Sequence, residues 1–308
     1  MKQRISIICT LVMMVLLVFG CGPKQLGTTG ATHQVTDGTG TVVTVPIEPK
    51  RIVPIAASTE DIVLSLVDPS RVATVGTVPN NVPDASAKVE KHVKASAESM
   101  LSVQPDLVLV PNWMSSDAIG EMRNMQIPVY VYKTPTTVKE AKATIHEIAG
   151  LLHASDESMI ASMDADLKTV EELANKHSGE RPLVAFYSQF GLTGGKGSTF
   201  DDMCNYLKVT NAAAQIGLGP FDNGTREDLI KSNPDIIFIP SVAYTSDGTT
   251  PATAEQLYSD PALQGVKAIA DRRVYLVDSS QVMSYSQFMT RAMVSMAPVS
   301  YTHLTLPT

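Results

Sequence analysis

The sequence predicts an α/β protein of two Rossmann-like lobes with parallel sheets, joined by a single long α-helix. Three observations predict it. First, residues 97 to 111, AESMLSVQPDLVLVP, recur in outline at 226 to 240 as REDLIKSNPDIIFIP. Glu98 and Glu227 mark the register, 129 residues apart (227 − 98), which is enough chain for half of a bilobal molecule. In each copy Ser96 or Thr225 stands two places before the glutamate. An apolar pair, a Pro-Asp corner and an apolar run ending in proline follow. Ser and Thr are favoured N-caps and an acid suits the positive end of a helix, so each copy reads as a short helix, a turn and a buried strand. Second, apolar runs alternate with helix-like stretches and fall into two groups, before residue 134 and after 182. Continuous apolar strands separated by helices indicate parallel sheets covered on both faces. Third, between the groups, Ile160, Met163, Leu167, Val170 and Ala174 recur at three- and four-residue steps, the pattern of an amphipathic helix over 156–177.

Taken from the N-terminus, residues 1–21 read as a signal segment. Lys2 and Arg4 precede ISIICTLVMMVLLVFG, a stretch barely long enough to cross a bilayer. The ending Val18-Phe19-Gly20-Cys21 is similar to the bacterial lipobox, whose cysteine becomes the lipidated first residue. On that reading Cys21 carries a lipid anchor that holds the protein on the extracytoplasmic side of a membrane. An uncleaved anchor helix and an ordinary secreted protein remain the alternatives. Residues 22–33, rich in Gly and Thr, form a flexible tether. Beyond Cys9 and Cys21 only Cys204 is present, so no disulfide can form within the body of the protein and stability must come from its core. At 308 residues and 44% hydrophobic, the chain is long and apolar enough to build one. A net charge of −7 without a Lys/Arg cluster excludes a nucleic-acid partner.

The N-terminal lobe spans 34–134. It opens with a β-hairpin around Asp37-Gly38 and Gly40 and continues with strands in RIVPIA (51–56), VATVGT (72–77), LVLV (107–110) and PVYVYK (128–133). A helical linking region occupies 135–180, and the long helix in its second half starts at Ser155-Asp156-Glu157 and stops at Lys176, His177 and Gly179. The C-terminal lobe spans 181–297, with strands in LVAFY (183–187), IIFI (236–239) and VYLV (274–277). Gly195 and Gly197 lack the spacing of a phosphate loop and mark a turn. Ser198 then caps a helix, with Asp201 completing a capping box. From Pro298 the helical pattern is abandoned, and 298–308 reads as a truncated or non-native tail that leaves the last helix incomplete.

The lipobox, VTDGTGTVVTVP followed by KRIV, the paired glutamate units, the central helix and LVAFYSQFGLTGGKGSTFDDM together resemble the class III substrate-binding proteins of bacterial ABC importers. The likeness covers about residues 34–296. It implies a monomer without a cofactor that captures a metal chelate, a cobalamin, a haem or a ferric siderophore, between its lobes. It also implies that Glu98 and Glu227 dock on the two halves of a permease dimer. Matched carboxylates on first turns suit a two-fold symmetric partner; both acids also simply favour helix N-termini.

Ligands of open α/β sheets bind beyond the carboxyl ends of the strands. That rule selects Ser58, Thr59, Asn80, Asn112, Trp113, Met114, Gln189, Phe190, Tyr244 and Tyr285 as ligand-binding candidates. Trp113, the only tryptophan, offers a flat face to a macrocycle or catechol, or else covers the edge of its own lobe. Among cations near the strand ends, only Lys133 and Lys196 stand out, which favours a neutral or bulky ligand over an anionic one. The rival readings are a zinc- or manganese-binding lipoprotein and a surface enzyme. No histidine directly follows a strand, and no GxSxG, HExxH or supported Cys-His pair occurs.

Overall fold

A computed structural model describes residues 30–301 apart from 79, 94, 95, 178 and 246–247. The signal segment with Cys21, most of the tether and residues 302–308 lie outside the described residues. Among those described, no helix is long and apolar enough to cross a membrane.

Strands β1 (Thr32–Thr36) and β2 (Val42–Pro46) form the expected antiparallel hairpin. Its turn is fastened to the lobe behind it: Asp37 pairs with Arg123, and the Gly38 N–H donates to the Val131 carbonyl at 2.6 Å. A Cβ on Gly38 would stand 2.9 Å from that same oxygen, so the close approach requires glycine. Burial opposes ionisation of Asp37, yet the Thr39 hydroxyl and the N–H groups of Thr41, Thr39 and Val131 hold its carboxyl below the usual range.

The N-terminal lobe then runs β3 (Ile52–Pro54), α1 (Ala57–Leu66), α2 (Pro83–Ser86), α3 (Ala97–Val103), β4 (Leu107–Pro111), α4 (Ser116–Asn124) and β5 (Val129–Tyr132). Its parallel sheet has the order β3-β4-β5. The strand expected at 72–77 is made at only two points, the bridges Ile52 to Val72 and Val75 to His92. After Val75 the next N–H, that of Gly76, leaves the ladder and donates to the buried Glu60 carboxylate at 2.7 Å.

Helices α5 (Val138–Leu152) and α6 (Glu157–Asn175) lead to the second lobe. The 19 residues of α6 match the expected amphipathic helix, about 28 Å long at 1.5 Å per residue. Between the two helices the chain breaks at His153, which sits in the left-handed region at φ 51°. The link is therefore a helix pair, of which α6 is the long member.

The C-terminal lobe comprises β6 (Leu183–Ser188), β7 (Gly191–Thr193), α7 (Thr199–Tyr206), β8 (Thr210–Asn211), α8 (Ala212–Gln215), α9 (Arg226–Ser232), β9 (Ile236–Pro240), β10 (Val242–Thr245), β11 (Gly248–Pro251), α10 (Glu255–Tyr258), α11 (Lys267–Ala270), β12 (Val274–Val277), α12 (Ser279–Val282) and α13 (Met289–Tyr301). Its sheet has the order β12-β9-β6-β7, parallel except for β7, with β8 beside β6. The Ser198 cap is present, accepting from the Asp201 N–H. Asp201 itself, however, accepts from Gly197 and Asn211, so the reciprocal half of the expected capping box is not made.

One apolar core runs through both lobes, from Ile62, Leu109 and Tyr132 through α5 and α6 to Phe238. Met289, Ala292, Met293, Met296 and Ala297 line one face of α13 and join it. Contrary to the expected tail, α13 continues through Pro298 to Tyr301. Ser300 is fully buried there and returns its hydroxyl to the Met296 carbonyl.

The repeated unit survives in detail. Helices α3 and α9 are capped by Ser96 and Thr225 and end in left-handed Gln104 and Asn233, and β4 and β9 are buried throughout. The Pro-Asp corners act alike. Asp106 accepts from the N–H groups of Lys50 and Arg51 at 2.7 and 2.9 Å, and Asp235 from that of Leu183 at 2.8 Å, so each aspartate pins the start of the neighbouring strand. Asp106→Ala strands two backbone donors at a buried corner and is expected to lower stability by about 2 to 3 kcal/mol. Asp235→Ala should lower it too, by a smaller amount. Urea unfolding of both variants checks the order.

Candidate functional site

In each lobe the parallel strands leave their sheet at one edge, and the helix preceding a strand starts at that same edge. The starts of α3 and α9 therefore lie at the rims from which β4 and β9 emerge, and both Glu98 and Glu227 are exposed. The Glu227 carboxyl is held below its ordinary range by its own backbone N–H and by the Thr225 hydroxyl. Its neighbour Arg226 is engaged by Asp260 at 2.9 Å.

On the N-terminal rim, β4 delivers Asn112, Trp113 and Met114. Asn112 is exposed and its side-chain oxygen accepts from the Thr134 N–H. Trp113 is 60% exposed, and Met114 packs partly buried on the lobe core. The Tyr285 hydroxyl is driven up in pKa by burial. The opposing interactions come from the hydroxyl of Tyr132, the Trp113 indole and the Thr59 hydroxyl. Trp113 thus stands largely exposed on the rim with Tyr285 of the C-terminal segment within its reach.

Beneath the rim, α1 meets the segment 280–287 in a polar seam that sequence reading did not foresee. The Ser58 hydroxyl lies 3.1 Å from that of Ser284 and accepts from the Tyr285 N–H. Ser286 donates to Asp61 at 3.0 Å, Gln287 to the Asp61 carbonyl, and Asn81 and Ser280 exchange two hydrogen bonds of 2.8 Å. Ser58 and Thr59 are accordingly buried in this seam instead of lining an open cleft. Thr59 has no exposure at all, its hydroxyl shared between the Ile55 carbonyl and Tyr132, which corrects its expected contact with ligand. Asn80 is partly exposed with its amide on Glu60.

Two adjacent acids lie in this seam. Burial raises the carboxyl pKa of Glu60, against the donors Asn80 and Gly76. Burial likewise raises Asp61 to about 6, against donors from Asn81 and Ser286. A carboxyl whose folded pKa stands above its unfolded value costs stability as it ionises. For Asp61 that cost grows from about pH 4 to about pH 6 and is constant above. Asp61→Asn removes it, so the stability of this variant relative to wild type should improve as pH rises from 4 to 6, by up to about 3 kcal/mol at 1.36 kcal/mol per unit. Urea unfolding at pH 4, 5, 6 and 7 tests the trend; a difference that does not change with pH contradicts it.

On the C-terminal rim, Gln189 and Phe190 form the turn between β6 and β7, and Phe190 is 56% exposed. Tyr244 is paired with Thr249 in the β10–β11 hairpin, its side chain outside the described residues. Beside them lies a pocket of about 160 Å³ at the ends of β6 and β9, lined by Tyr187, Ser188, Gln189, Ile239, Pro240, Ala243, Ala252, Thr253, Gln256 and Leu257. Lys133, one of the two cations noted near the strand ends, pairs with Glu140 at 3.3 Å. Among the described residues no three His, Cys, Asp or Glu side chains gather as a metal site.

This geometry has known counterparts. The chain is 28% identical over 302 residues to an uncharacterized ABC transporter substrate-binding lipoprotein, YvrC, of Bacillus subtilis, covering 92% of each. It is 22% identical over 270 residues to a cobalamin-binding protein of Halobacterium salinarum, covering 85% of this chain and 72% of that one. The periplasmic haem-binding protein RhuT of Roseiflexus shares its fold, with a TM-score of 0.68 at 19% identity over 82% of this chain and 98% of that one. The periplasmic binding protein family matches residues 51–281, and this two-lobed chain with its paired rims belongs to it.

Proposed function

We propose that the protein is a lipid-anchored receptor that captures a metal chelate, of the cobalamin, haem or ferric-siderophore kind, between its two rims and hands it to an ABC permease dimer. It works as a monomer on the extracytoplasmic face, held through Cys21. The observation that carries this reading is the exposed glutamate at the same register of each repeated unit, Glu98 on α3 and Glu227 on α9. Two carboxylates presented on equivalent rims match arginine or lysine pairs on a two-fold partner. The name of the Bacillus subtilis relative supports the transport role, and that of the Halobacterium salinarum relative supports a ligand of the cobalamin kind.

Capture falls to Trp113, Asn112 and Met114 on one rim and to Gln189 and Phe190 on the other, with Asn80, Tyr285 and Tyr244 beside them. An exposed indole at the end of a buried strand offers a large flat surface to a planar or bulky ligand. The bonds between α1 and the segment 280–287 favour modest closure over a wide hinge. Glu98→Ala combined with Glu227→Ala should leave chelate affinity within about twofold, read by quenching of Trp113 fluorescence with cobalamin, haemin and ferric siderophores. Uptake in cells should fall at least about tenfold, since each buried charge pair is worth about 2 kcal/mol or more. Lost affinity with normal uptake contradicts the assignment.

A further inference from the structure

The pocket at the ends of β6 and β9 is a built feature of the C-terminal lobe alone. Ile239, Pro240, Tyr187 and Leu257 supply its larger apolar lining. Ser188, Gln189, Thr253 and Gln256 add hydroxyl and amide groups, and every described lining residue is uncharged. Size decides what can enter. An apolar cavity of about 150 Å³ holds a single benzene, so the concave part of this half-open pocket, about 160 Å³, seats one ring of a ligand whose remainder lies outside it. Chemistry decides the rest. The lining offers a charged group no counter-ion for whatever hydration it gives up, whereas an uncharged amide or heteroaromatic ring would keep its hydrogen bonds and cover its faces.

We infer that this pocket is a subsite for one uncharged, ring-sized arm of the ligand held in the cleft, which makes the ligand a chelate bearing a pendant neutral ring or amide. The inference rests on the transport reading for the identity of the cleft ligand but not for the pocket itself. Gln189 of the β6–β7 turn and Ala243 of β10 are among its lining, which puts the pocket on the rim where the body of a chelate would rest. Tyr187 of the lining lies within the electrostatic reach of Arg226, Asp260 and Glu227. Those charges stay outside the lining, so the pocket reaches toward the first turn of α9 while keeping a neutral surface.

Three isosteric probes test the subsite without knowledge of the chelate: benzamide, benzoate and benzamidine, neutral, anionic and cationic. Ligand-observed NMR on the purified chain should show benzamide bound at least about tenfold more tightly than either ion. Ala252→Trp fills the space and should weaken benzamide at least about tenfold. Gln256→Glu, at an exposed position, adds a carboxylate to the lining and should reverse the order in favour of benzamidine, so the test survives if the tryptophan variant fails to fold. Preference for an ion in wild type, benzamide binding unchanged in both variants, or no binding of any probe overturns the subsite. A protein that quenches Trp113 with a chelate yet ignores all three rings keeps its transport role and loses the subsite. One that binds benzamide in the pocket but no chelate keeps the subsite and loses the transport role.

Discussion

Parallel pairing is the constraint from which the rest of this molecule follows. Strands that run the same way cannot be joined by a tight turn, so each return passes through a helix and each strand leaves the sheet at a common edge. In the N-terminal lobe that edge gathers the ends of β3, β4 and β5; in the C-terminal lobe it gathers those of β6, β9 and β12. Loops carrying Trp113, Gln189 and Phe190 are therefore brought to two rims by backbone geometry, before any side chain is chosen for its chemistry. The helices α3 and α9 start at those rims for the same reason, which is why one repeated unit can place a strand in the core and a carboxylate at the surface.

The seam between α1 and the segment 280–287 shows how polar groups hold the halves together under that edge. Burying a carboxylate is costly unless donors meet it. Asp61 receives the Asn81 backbone and side-chain N–H groups and the Ser286 hydroxyl, and Glu60 receives Gly76 and Asn80. These bonds shape the loop 76–82 onto α1, and Asn81 then passes the tie across to Ser280. The raised pKa of Asp61 shows that the donors offset burial only in part. A network of this kind specifies one arrangement of its parts more than it adds to stability.

Much of the fold was legible because its punctuation is local. The Ser and Thr caps, the Pro-Asp corners and the apolar runs identified both copies of the unit and seven strand-like segments, six of which are strands. The seventh, VATVGT, alternates as a strand does but loses its Gly76 donor to Glu60, a long-range contact that no local pattern records. The hairpin β10–β11 was missed because SVAYTSDGTTP carries no sustained apolar alternation. At the site, the rule of carboxyl edges found Asn112, Trp113, Gln189 and Phe190 on the rims. It placed Thr59 in the open because adjacency to a strand end says nothing about what packs over it. Ser58 and Ser284 meet across 226 positions of sequence, and only the polar run SSQVMSYSQ before an apolar helix hints that something there needs partners.

The β1–β2 hairpin has a mechanical consequence. Its turn is locked to the N-terminal lobe through Asp37, Arg123 and the Gly38 contact with Val131. Any tension along the leading segment is therefore delivered to β1 and carried sideways across the ladder of paired strands into one half of the molecule. Bonds loaded in shear share the force and resist it together. The half that bears Phe190 and Glu227 takes no part in that joint and would feel such a load only through the shared core and the seam on α1.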